Sequence, residues 1–250
     1  MEPLKISAVS YLNTFPFVYG IRESGFLKNY RLDLDIPSLC AEKLKNRLVD
    51  VALIPVGALS DLDSYEFVAD FCIGAVNAVK TVLLLSHKPL ERISEIGLDY
   101  DSRTSVKLVK VLAKHFWNIN PSWRNLSPGE VSKDNRFEAI VAIGDKTFEL
   151  IKNYPYCYDL AREWIYFTRL PFVFAVWVTN TKIPDPMKDE LNKALAYGVG
   201  HIKETLDFFR DKLPEKEDCQ LYLEKNISYP LDEKKKKGLN LFLHYLKDNG

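Results

Sequence analysis

Hydrogen-bonding side chains follow the first apolar segment of the chain and lie directly before a helix start. Ser10 and Asn13 come after the apolar residues 4–9, and Thr14 and Pro16 stand where a helix cap and a first helical turn are expected. A strand that ends in polar residues and leads into a helix N-terminus is a common anion-binding arrangement in α/β proteins. A purely structural helix cap would use the same residues, so both interpretations stay open.

A second group of short polar side chains opens a helix in the middle of the chain. Ser102, Arg103, Thr104 and Ser105 precede apolar residues that recur every three or four positions. The free N–H groups and the dipole at such a helix start favour an anion, although capping with Arg103 at the surface explains the same pattern. Thr81 offers a further hydroxyl, which the strand preference of threonine also explains.

The sequence lacks the motifs of the common cofactor-dependent and nucleophilic enzymes. It contains no phosphate-binding loop, no G-x-S-x-G elbow and no H-E-x-x-H motif. The four cysteines and four histidines are scattered without metal-ligand spacing, so we expect structural thiols, no metal and no cofactor. Asp145, Asp159 and Glu163 fit helix capping and surface ion pairs, and we do not propose them as catalytic carboxylates.

Apolar strands alternate with amphipathic helices along the chain, which predicts an α/β fold. A long helix is expected over 186–213, and a last helix presents an apolar stripe that contains Leu239 and Phe242. The predicted strands are 4–9, 31–36, 51–55, 66–75, 79–86, 96–99, 139–143 and 171–178.

The charge balance and the hydropathy pattern exclude several classes of protein. Lysine plus arginine and aspartate plus glutamate both number 34, whereas a nucleic-acid-binding protein usually has a basic excess. No apolar run reaches the roughly 18 residues of a membrane helix, and no charged region with a long apolar core opens the sequence. We therefore expect a cytoplasmic protein that binds neither nucleic acid nor membranes.

Several short motifs occur in a fixed order and together carry a family resemblance. They are Ser-Tyr-Leu-Asn-Thr-x-Pro at 10–16, then the segments 49–56, 70–73, 81–86, 98–99, 102–106, 143–146, 158–160 and 170–177. In this order they resemble the chorismate dehydratases of the futalosine route to menaquinone. The sister naphthoate synthase opens with a Ser-Pro-Cys-Pro-Asn-Asp-type motif, which this chain lacks. The family's Gly-Pro-Val-Arg-Ser-Val-like turn is replaced by residues 78–82, Ala-Val-Lys-Thr-Val.

The resemblance implies an α/β, two-lobed type II periplasmic-binding-protein-like fold. Each lobe is then a mixed sheet flanked by helices, with the ligand cleft between the lobes. We place the first part of lobe 1 at 1–88 and lobe 2 at 89–172. Residues 173–250 are expected to return to lobe 1 with the C-terminal helices.

The resemblance also implies an activity and its site residues. The implied enzyme is a cofactor-independent carbon–oxygen lyase (hydro-lyase) that eliminates water from chorismate to give 3-[(1-carboxyvinyl)oxy]benzoate. A cytoplasmic small-carboxylate-binding protein on the same scaffold is the alternative. We predict Asn13 and Thr81 as catalytic, and Trp177 as a core residue. The predicted substrate-binding residues are Ser10, Tyr11, Thr14, Ser102, Arg103, Thr104, Ser105 and Phe172.

Overall fold

The chain divides into two compact units, and each unit is built from two separate segments. The computed structural model describes residues 2–99, 103–127, 130, 137–214 and 218–248. The first unit comprises the described residues of Met1–Gly74 and Val173–Asp232, and the second comprises those of Ala75–Phe172 and Glu233–Gly250.

The strands that the structure describes fall into two sheets, one with each unit. Most of them lie where the apolar runs of the sequence predict them. Their bounds are β1 (Leu4–Val9), β2 (Tyr30–Asp35), β3 (Val51–Pro55), β4 (Glu66–Ala75), β5 (Val82–Ser86), β6 (Glu95–Leu98), β7 (Ser122–Asn125), β8 (Ala139–Ile143), β9 (Tyr156–Asp159), β10 (Phe172–Thr179) and β11 (Ser228–Pro230).

The α-helices of the described residues vary from short turns to four-turn helices. None of them is long and apolar enough to cross a membrane. Their bounds are α1 (Phe15–Glu23), α2 (Pro37–Lys45), α3 (Arg103–Leu112), α4 (Thr147–Leu150), α5 (Leu160–Thr168), α6 (Asp185–Gly200), α7 (Ile202–Phe208), α8 (Cys219–Leu221) and α9 (Glu233–Lys247).

The sheet of the first unit is mixed and has the strand order β11-β4-β10-β3-β1-β2 among the described residues. β1 pairs in parallel with β2 and β3, while β10 runs antiparallel to β3. Every residue of β3 and β10 is buried, because helices or loops cover both faces of these central strands. β2 lies at the end of the strand order and is mostly half-buried, which agrees with the alternation of polar and apolar residues in its sequence.

The sheet of the second unit is also mixed, with the strand order β7-β6-β8-β5-β9 in the described part of the chain. β6 is parallel to β7 and β8, and β5 is antiparallel to β8 and β9. The carboxyl ends of β6 and β8 therefore share one edge of the sheet with the start of β5. That edge is where an α/β sheet normally presents ligand-binding residues.

The observed units differ from the expected lobe boundaries in two places. β5, expected in lobe 1, is a central strand of the second sheet. The C-terminal helix α9, also expected in lobe 1, belongs to the second unit, where Phe242 contacts Trp164 and Phe172 edge to face. An apolar stripe predicts that a helix packs, but it does not identify the surface against which it packs.

The long helix expected over 186–213 is two helices. α6 ends at Gly200, and α7 begins at Ile202 after His201, whose backbone is not helical. The three-to-four-residue spacing of apolar residues continues through the break, so the periodicity did not reveal it. A glycine before the break lowers the helical preference at this point.

Candidate functional site

The residues predicted around the start of α1 follow β1 directly in the first unit. The Ser10 N–H donates to Asp35 O over 3.0 Å and continues the β1–β2 pairing. Ser10 is exposed, Tyr11 and Asn13 are half-buried, and Thr14 has no exposed surface. The sequence motif thus places its polar residues at the carboxyl end of a central parallel strand.

Thr14 does not cap α1 with its side chain, so that expectation was wrong. A short 3₁₀ turn over Leu12–Thr14 precedes the helix, and Thr14 itself has a helical backbone. Its Oγ1 instead donates to Asn13 Oδ1 over 3.2 Å. Pro16 does stand in the first turn of the helix, as predicted.

Asn13 is held through both its main chain and its side chain. Its backbone oxygen accepts a hydrogen bond from the hydroxyl of Tyr229, at 3.2 Å, and burial raises the pKa of that hydroxyl well above its ordinary value. Its Oδ1 accepts from Thr14, so the other end of the carboxamide, Nδ2, is oriented as a donor. Among the described residues, Nδ2 has no hydrogen-bond acceptor. An oriented amide donor of this kind suits a carboxylate or a hydroxyl of a ligand.

In the second unit, a buried carboxylate lies at the carboxyl ends of β6 and β8. Asp99 follows β6 directly and is 3% exposed, and its Oδ2 accepts from the Ile143 N–H at 3.3 Å. Lys146 Nζ lies 2.7 Å from the same oxygen. The Lys146 side chain is 30% exposed, so this ion pair holds an ammonium group at the sheet edge with part of its surface open to solvent.

The helix predicted to bind an anion, α3, starts at Arg103 and follows β6. Arg103 is exposed, whereas Thr104 and Ser105 are buried. Ser102, which we predict as a substrate-binding residue, lies outside the described residues. Burial of two hydroxyl side chains in the first turn is consistent with a structural role, a ligand-binding role or both.

Thr81 lies at the same edge of the second sheet, directly before β5. Its backbone oxygen accepts from the Gly144 N–H at 2.9 Å, and its side chain is 1% exposed. The preceding residue, Lys80, has a positive φ of 67°. The N–H of Lys80 donates to Asp159 Oδ2 over 2.7 Å. This turn is thus held by a carboxylate at the end of β9.

Phe172 packs inside the second unit. Its ring is 1% exposed and contacts Trp164 and Phe242, with centroids 5.4 and 5.0 Å away. This packing accounts for an aromatic residue at the position, and the ligand contact stays a prediction. Trp177 is fully buried in the first unit against Phe17, which confirms its assignment to the core.

Asp159, Glu163 and Asp145, which are not proposed as catalytic, differ in their contacts. Asp159 caps α5, as expected, through hydrogen bonds from the Ala161 and Arg162 N–H groups. Glu163 accepts from the Trp117 indole at 3.0 Å. Asp145 was expected to cap a helix, but α4 begins two residues later, and Thr147 Oγ1 donates to Gly144 O instead.

Sequence reasoning missed two contacts at the edge of the second sheet. These are the pair of Asp99 with Lys146 and the hydrogen bond of Asp159 with the Lys80 main chain. In each pair, one partner is an aspartate that ends or directly follows a strand. That pattern is a usable signal for the aspartates, because side chains at strand ends point toward the ligand-binding edge. The partners come from distant segments and leave no local signal.

The cysteines and the acidic residues provide no metal site in the part of the chain that is described. No group of three or more His, Cys, Asp or Glu residues there is arranged to hold a metal ion. Cys40, Cys72 and Cys219 are buried and reduced. Burial raises the pKa of the Cys40 thiol to about 12, so this group stays protonated and unreactive near neutral pH.

Comparisons with solved structures establish the fold. Protein AF1704 from Archaeoglobus fulgidus has a TM-score of 0.78 at 14% identity, and the match covers 98% of this chain and 97% of that one. The periplasmic aliphatic sulphonate binding protein SsuA from Escherichia coli has a TM-score of 0.60 at 12% identity, with 99% and 94% covered. The predicted periplasmic-binding-protein-like α/β fold with two mixed sheets is confirmed.

Comparisons with sequences establish the family. A curated protein of Thermus thermophilus, chorismate dehydratase, is 24% identical over 266 aligned positions, which cover 98% of this chain and 96% of that protein. A family model described as menaquinone biosynthesis matches residues 4–248. Since this match extends over nearly the whole sequence and includes both units, the chain belongs to the menaquinone biosynthesis family.

Proposed function

We propose that this protein is a chorismate dehydratase that converts chorismate to 3-[(1-carboxyvinyl)oxy]benzoate and water. The family match and the Thermus thermophilus relative of that name support the proposal. The proposed enzyme is a hydro-lyase, because a carbon–oxygen bond breaks and a double bond forms without hydrolysis or oxidation.

The chemistry of the substrate explains why such a site needs few catalytic groups. A base takes the proton from ring carbon C3, the electrons of that C–H bond form the new ring double bond, and the hydroxyl on C4 leaves and takes up a proton to become water. The ring becomes aromatic, so the elimination is strongly downhill. We propose that no cofactor takes part and that the substrate's own side-chain carboxylate is a candidate base. The protein's task is to hold the substrate in the eliminating geometry and to exclude competing rearrangements.

The orientation of Asn13 is the observation that carries the proposal. Its carboxamide oxygen is engaged by Thr14 Oγ1, and its backbone oxygen by the Tyr229 hydroxyl. We propose that the Nδ2 donors thereby meet a ligand oxygen without any reorganisation. We assign Nδ2 to the leaving C4 hydroxyl or to a carboxylate on which charge develops.

The other predicted residues are assigned to the two carboxylates of chorismate. In the first unit, Ser10 and Tyr11 lie beside Asn13 on the segment between β1 and α1. Thr14 supports the same subsite through Asn13. In the second unit, four consecutive residues are the proposed carboxylate ligands, with Thr81 as a hydroxyl that contacts the reacting region. Those ligands are Ser102, Arg103, Thr104 and Ser105.

Turnover of chorismate by wild type and Asn13 variants tests the proposal. Asn13→Ala removes the amide donor, and Asn13→Asp keeps the shape but replaces the donor with an acceptor of negative charge. We expect both to lower kcat/KM by about 100-fold or more, the usual loss for an oriented donor in a transition state. Exposed Asn46, at the end of α2, provides the control, and Asn46→Ala should retain wild-type turnover.

A binding measurement on the same proteins separates the alternative. If wild type binds chorismate, for example by calorimetry, but returns it unchanged, the small-carboxylate-binding protein is the correct function. If Asn13→Ala turns over chorismate at the wild-type rate, the role assigned to Asn13 is wrong, and the enzymatic proposal then rests on the turnover itself and on the family match.

A further inference from the structure

The turn before β5 contains a residue in a backbone conformation that L-amino acids rarely adopt. Lys80 has a φ of 67°, in the left-handed region. A lysine there has no side-chain compensation of the kind that asparagine or aspartate offers. The conformation therefore requires hydrogen bonds or packing from its surroundings.

A single carboxylate supplies those hydrogen bonds. Asp159 Oδ2 accepts from the Lys80 N–H at 2.7 Å, and Oδ1 accepts from the Ala161 and Arg162 N–H groups at 3.1 Å each. The side chain is 4% exposed, at the end of β9. Burial raises the pKa of Asp159, and the backbone N–H donors oppose that rise. One oxygen thus fixes the turn, while the other fixes the start of α5.

The turn carries Thr81 as its next residue. Thr147 Oγ1, which donates to Gly144 O at 2.8 Å, also lies 3.4 Å from the oxygen of Lys80, and the oxygen of Thr81 accepts from the Gly144 N–H at 2.9 Å. The backbone of Lys80 and Thr81 is thus held by contacts on both sides of the peptide group that joins them, and the Thr81 side chain is attached to this backbone. A change of the φ angle at Lys80 would rotate the peptide group that joins it to Thr81 and displace the hydroxyl.

We propose that Asp159 is a positioning residue that fixes the turn before β5 and thereby the Thr81 hydroxyl. This proposal rests on the proposed function, in which Thr81 contacts the reacting region. This chain forms its turn with Lys80 in the left-handed region and secures it with a carboxylate. Only a carboxylate offers acceptors on both sides. An asparagine presents an N–H₂ group to one of the two sets of N–H donors.

The kinetic test is a double-mutant cycle between Asp159→Asn and Thr81→Ala with chorismate as substrate. We expect Asp159→Asn alone to lower kcat by about 10- to 100-fold and to change KM less than about threefold. The reason is that a displaced Thr81 hydroxyl slows mainly the chemical step. In the Thr81→Ala background the same substitution should change kcat less than about threefold. The proposal would be overturned if the kcat losses of the two single variants multiplied fully in the double variant. It would also be overturned if Asp159→Asn raised KM and left kcat unchanged.

A second variant at Asp159 distinguishes the loss of positioning from a loss of folding. Asp159→Ser retains a good helix N-cap, but its one oxygen cannot reach both α5 and the Lys80 N–H. It should therefore fold and still show the loss of kcat. Asp218, which caps the short helix α8 of the first unit through the Leu221 N–H, provides a matched control. Asp218→Ser makes the same substitution at this other helix cap and should keep wild-type kcat.

Amide hydrogen exchange of Lys80 tests the structural part without chorismate. The Lys80 N–H should exchange at least about tenfold faster in Asp159→Ser than in wild type, with core amides of β5 and β8 unchanged. Equal exchange would show that Asp159 does not hold the turn. If wild type shows no turnover, the proposed function fails, and this exchange measurement still decides whether the carboxylate fixes the turn.

Discussion

In the proposed site, the buried hydroxyl of Thr14 orients Asn13, the proposed binding group, and does not contact the ligand itself. Thr14 has no exposed surface, and its Oγ1 donates to the Asn13 carboxamide. Without that donor, the Asn13 amide is free to rotate by half a turn and to present its oxygen to the substrate. An oxygen in that position would repel both a carboxylate and a departing hydroxyl.

The hydroxyl of Thr14 is therefore expected to matter for turnover. Thr14→Val keeps the size of the side chain but removes the donor, and we expect kcat/KM to fall by about 5- to 30-fold, as for loss of one uncharged hydrogen bond. Thr14→Ser should retain most of the activity, because it keeps Oγ. Steady-state kinetics with chorismate measures both variants, and equal losses would assign Thr14 to packing alone.

Histidine has no part in the proposed elimination, and the four histidines have other contacts. The rings of His87 and His115 contact Tyr154 and Tyr245, and His201 Nδ1 lies 2.7 Å from Tyr197 O. We therefore expect the kcat/KM profile to show no histidine-type limb between about pH 6 and 7. Initial rates across pH measure this. A limb that disappears when one histidine is replaced would contradict the assignment.

Ion pairs of Lys43 in the first unit make the free energy of unfolding depend on pH. Lys43 Nζ lies 3.0 Å from Asp33 Oδ2 and 2.7 Å from Asp35 Oδ2. Ser7 also donates to Asp35, at 2.7 Å. The hydrogen bond from Lys43 holds the pKa of Asp33 below its ordinary value of 3.8. Because the pKa of Asp33 is lowered, the contribution of its charged form to the free energy of unfolding is complete above pH 3.8. It is lost as the pH falls through the lowered pKa.

Lys43→Met should lower the free energy of unfolding by about 1–3 kcal/mol near neutral pH, because it leaves two acceptors without their cation. The difference from wild type should shrink as the pH falls below 3.8. Denaturant titrations at several pH values measure it. The exposed pair of Lys152 and Glu149 is the control, and Lys152→Met should change stability by about 0.5 kcal/mol or less. A pH-independent difference would contradict the account.

At the scale of elements, a close helix contact fixes α1 in the first unit. A Cβ atom on Gly20 of α1 would overlap Ala194 O of α6, and one on Gly198 of α6 would overlap Pro16 O of α1. The two backbones touch because both positions lack side chains. α1 follows the Asn13 segment directly, so this contact also supports the candidate site.

Gly20→Ala and Gly198→Ala should each lower the free energy of unfolding by about 1–3 kcal/mol or more, because the added methyl group overpacks the contact. The sign is diagnostic, since alanine normally stabilises a helix interior by about 0.5–1 kcal/mol over glycine. Gly200→Ala is the matched control on α6, because its Cβ would meet no atom within 4 Å. Denaturant unfolding compares the three variants, and equal stability would exclude the tight contact.

Local sequence patterns were sufficient for most strands but not for every element. β3 and β10 are continuous apolar runs, and each was predicted within one or two residues. β7 was missed because Ser122–Asn125 is a polar strand, which among the described strands lies at the end of the sheet and pairs with β6. Its stability comes from that partner and not from its own residues.

At the scale of the whole molecule, the sequence predicted what depends on local order and missed what depends on distant partners. The Asn13 segment and the start of α3 could be named as candidates because each is a short polar motif beside a regular element. The links of Asp99 to Lys146 and of Asp159 to Lys80 join residues 47 and 79 positions apart. The same limit explains α9, whose place in the second unit follows from contacts with Trp164 and Phe172.

The most direct test of the proposed chemistry is identification of the product. Chorismate is incubated with the purified, metal-stripped protein and followed by mass spectrometry and proton NMR. We predict loss of one water per chorismate, a ring with only aromatic protons, and an intact enolpyruvyl ether with its two vinyl protons. Unchanged chorismate, an isomer of the same mass, or a hydroxybenzoate with release of pyruvate would contradict the proposed dehydration.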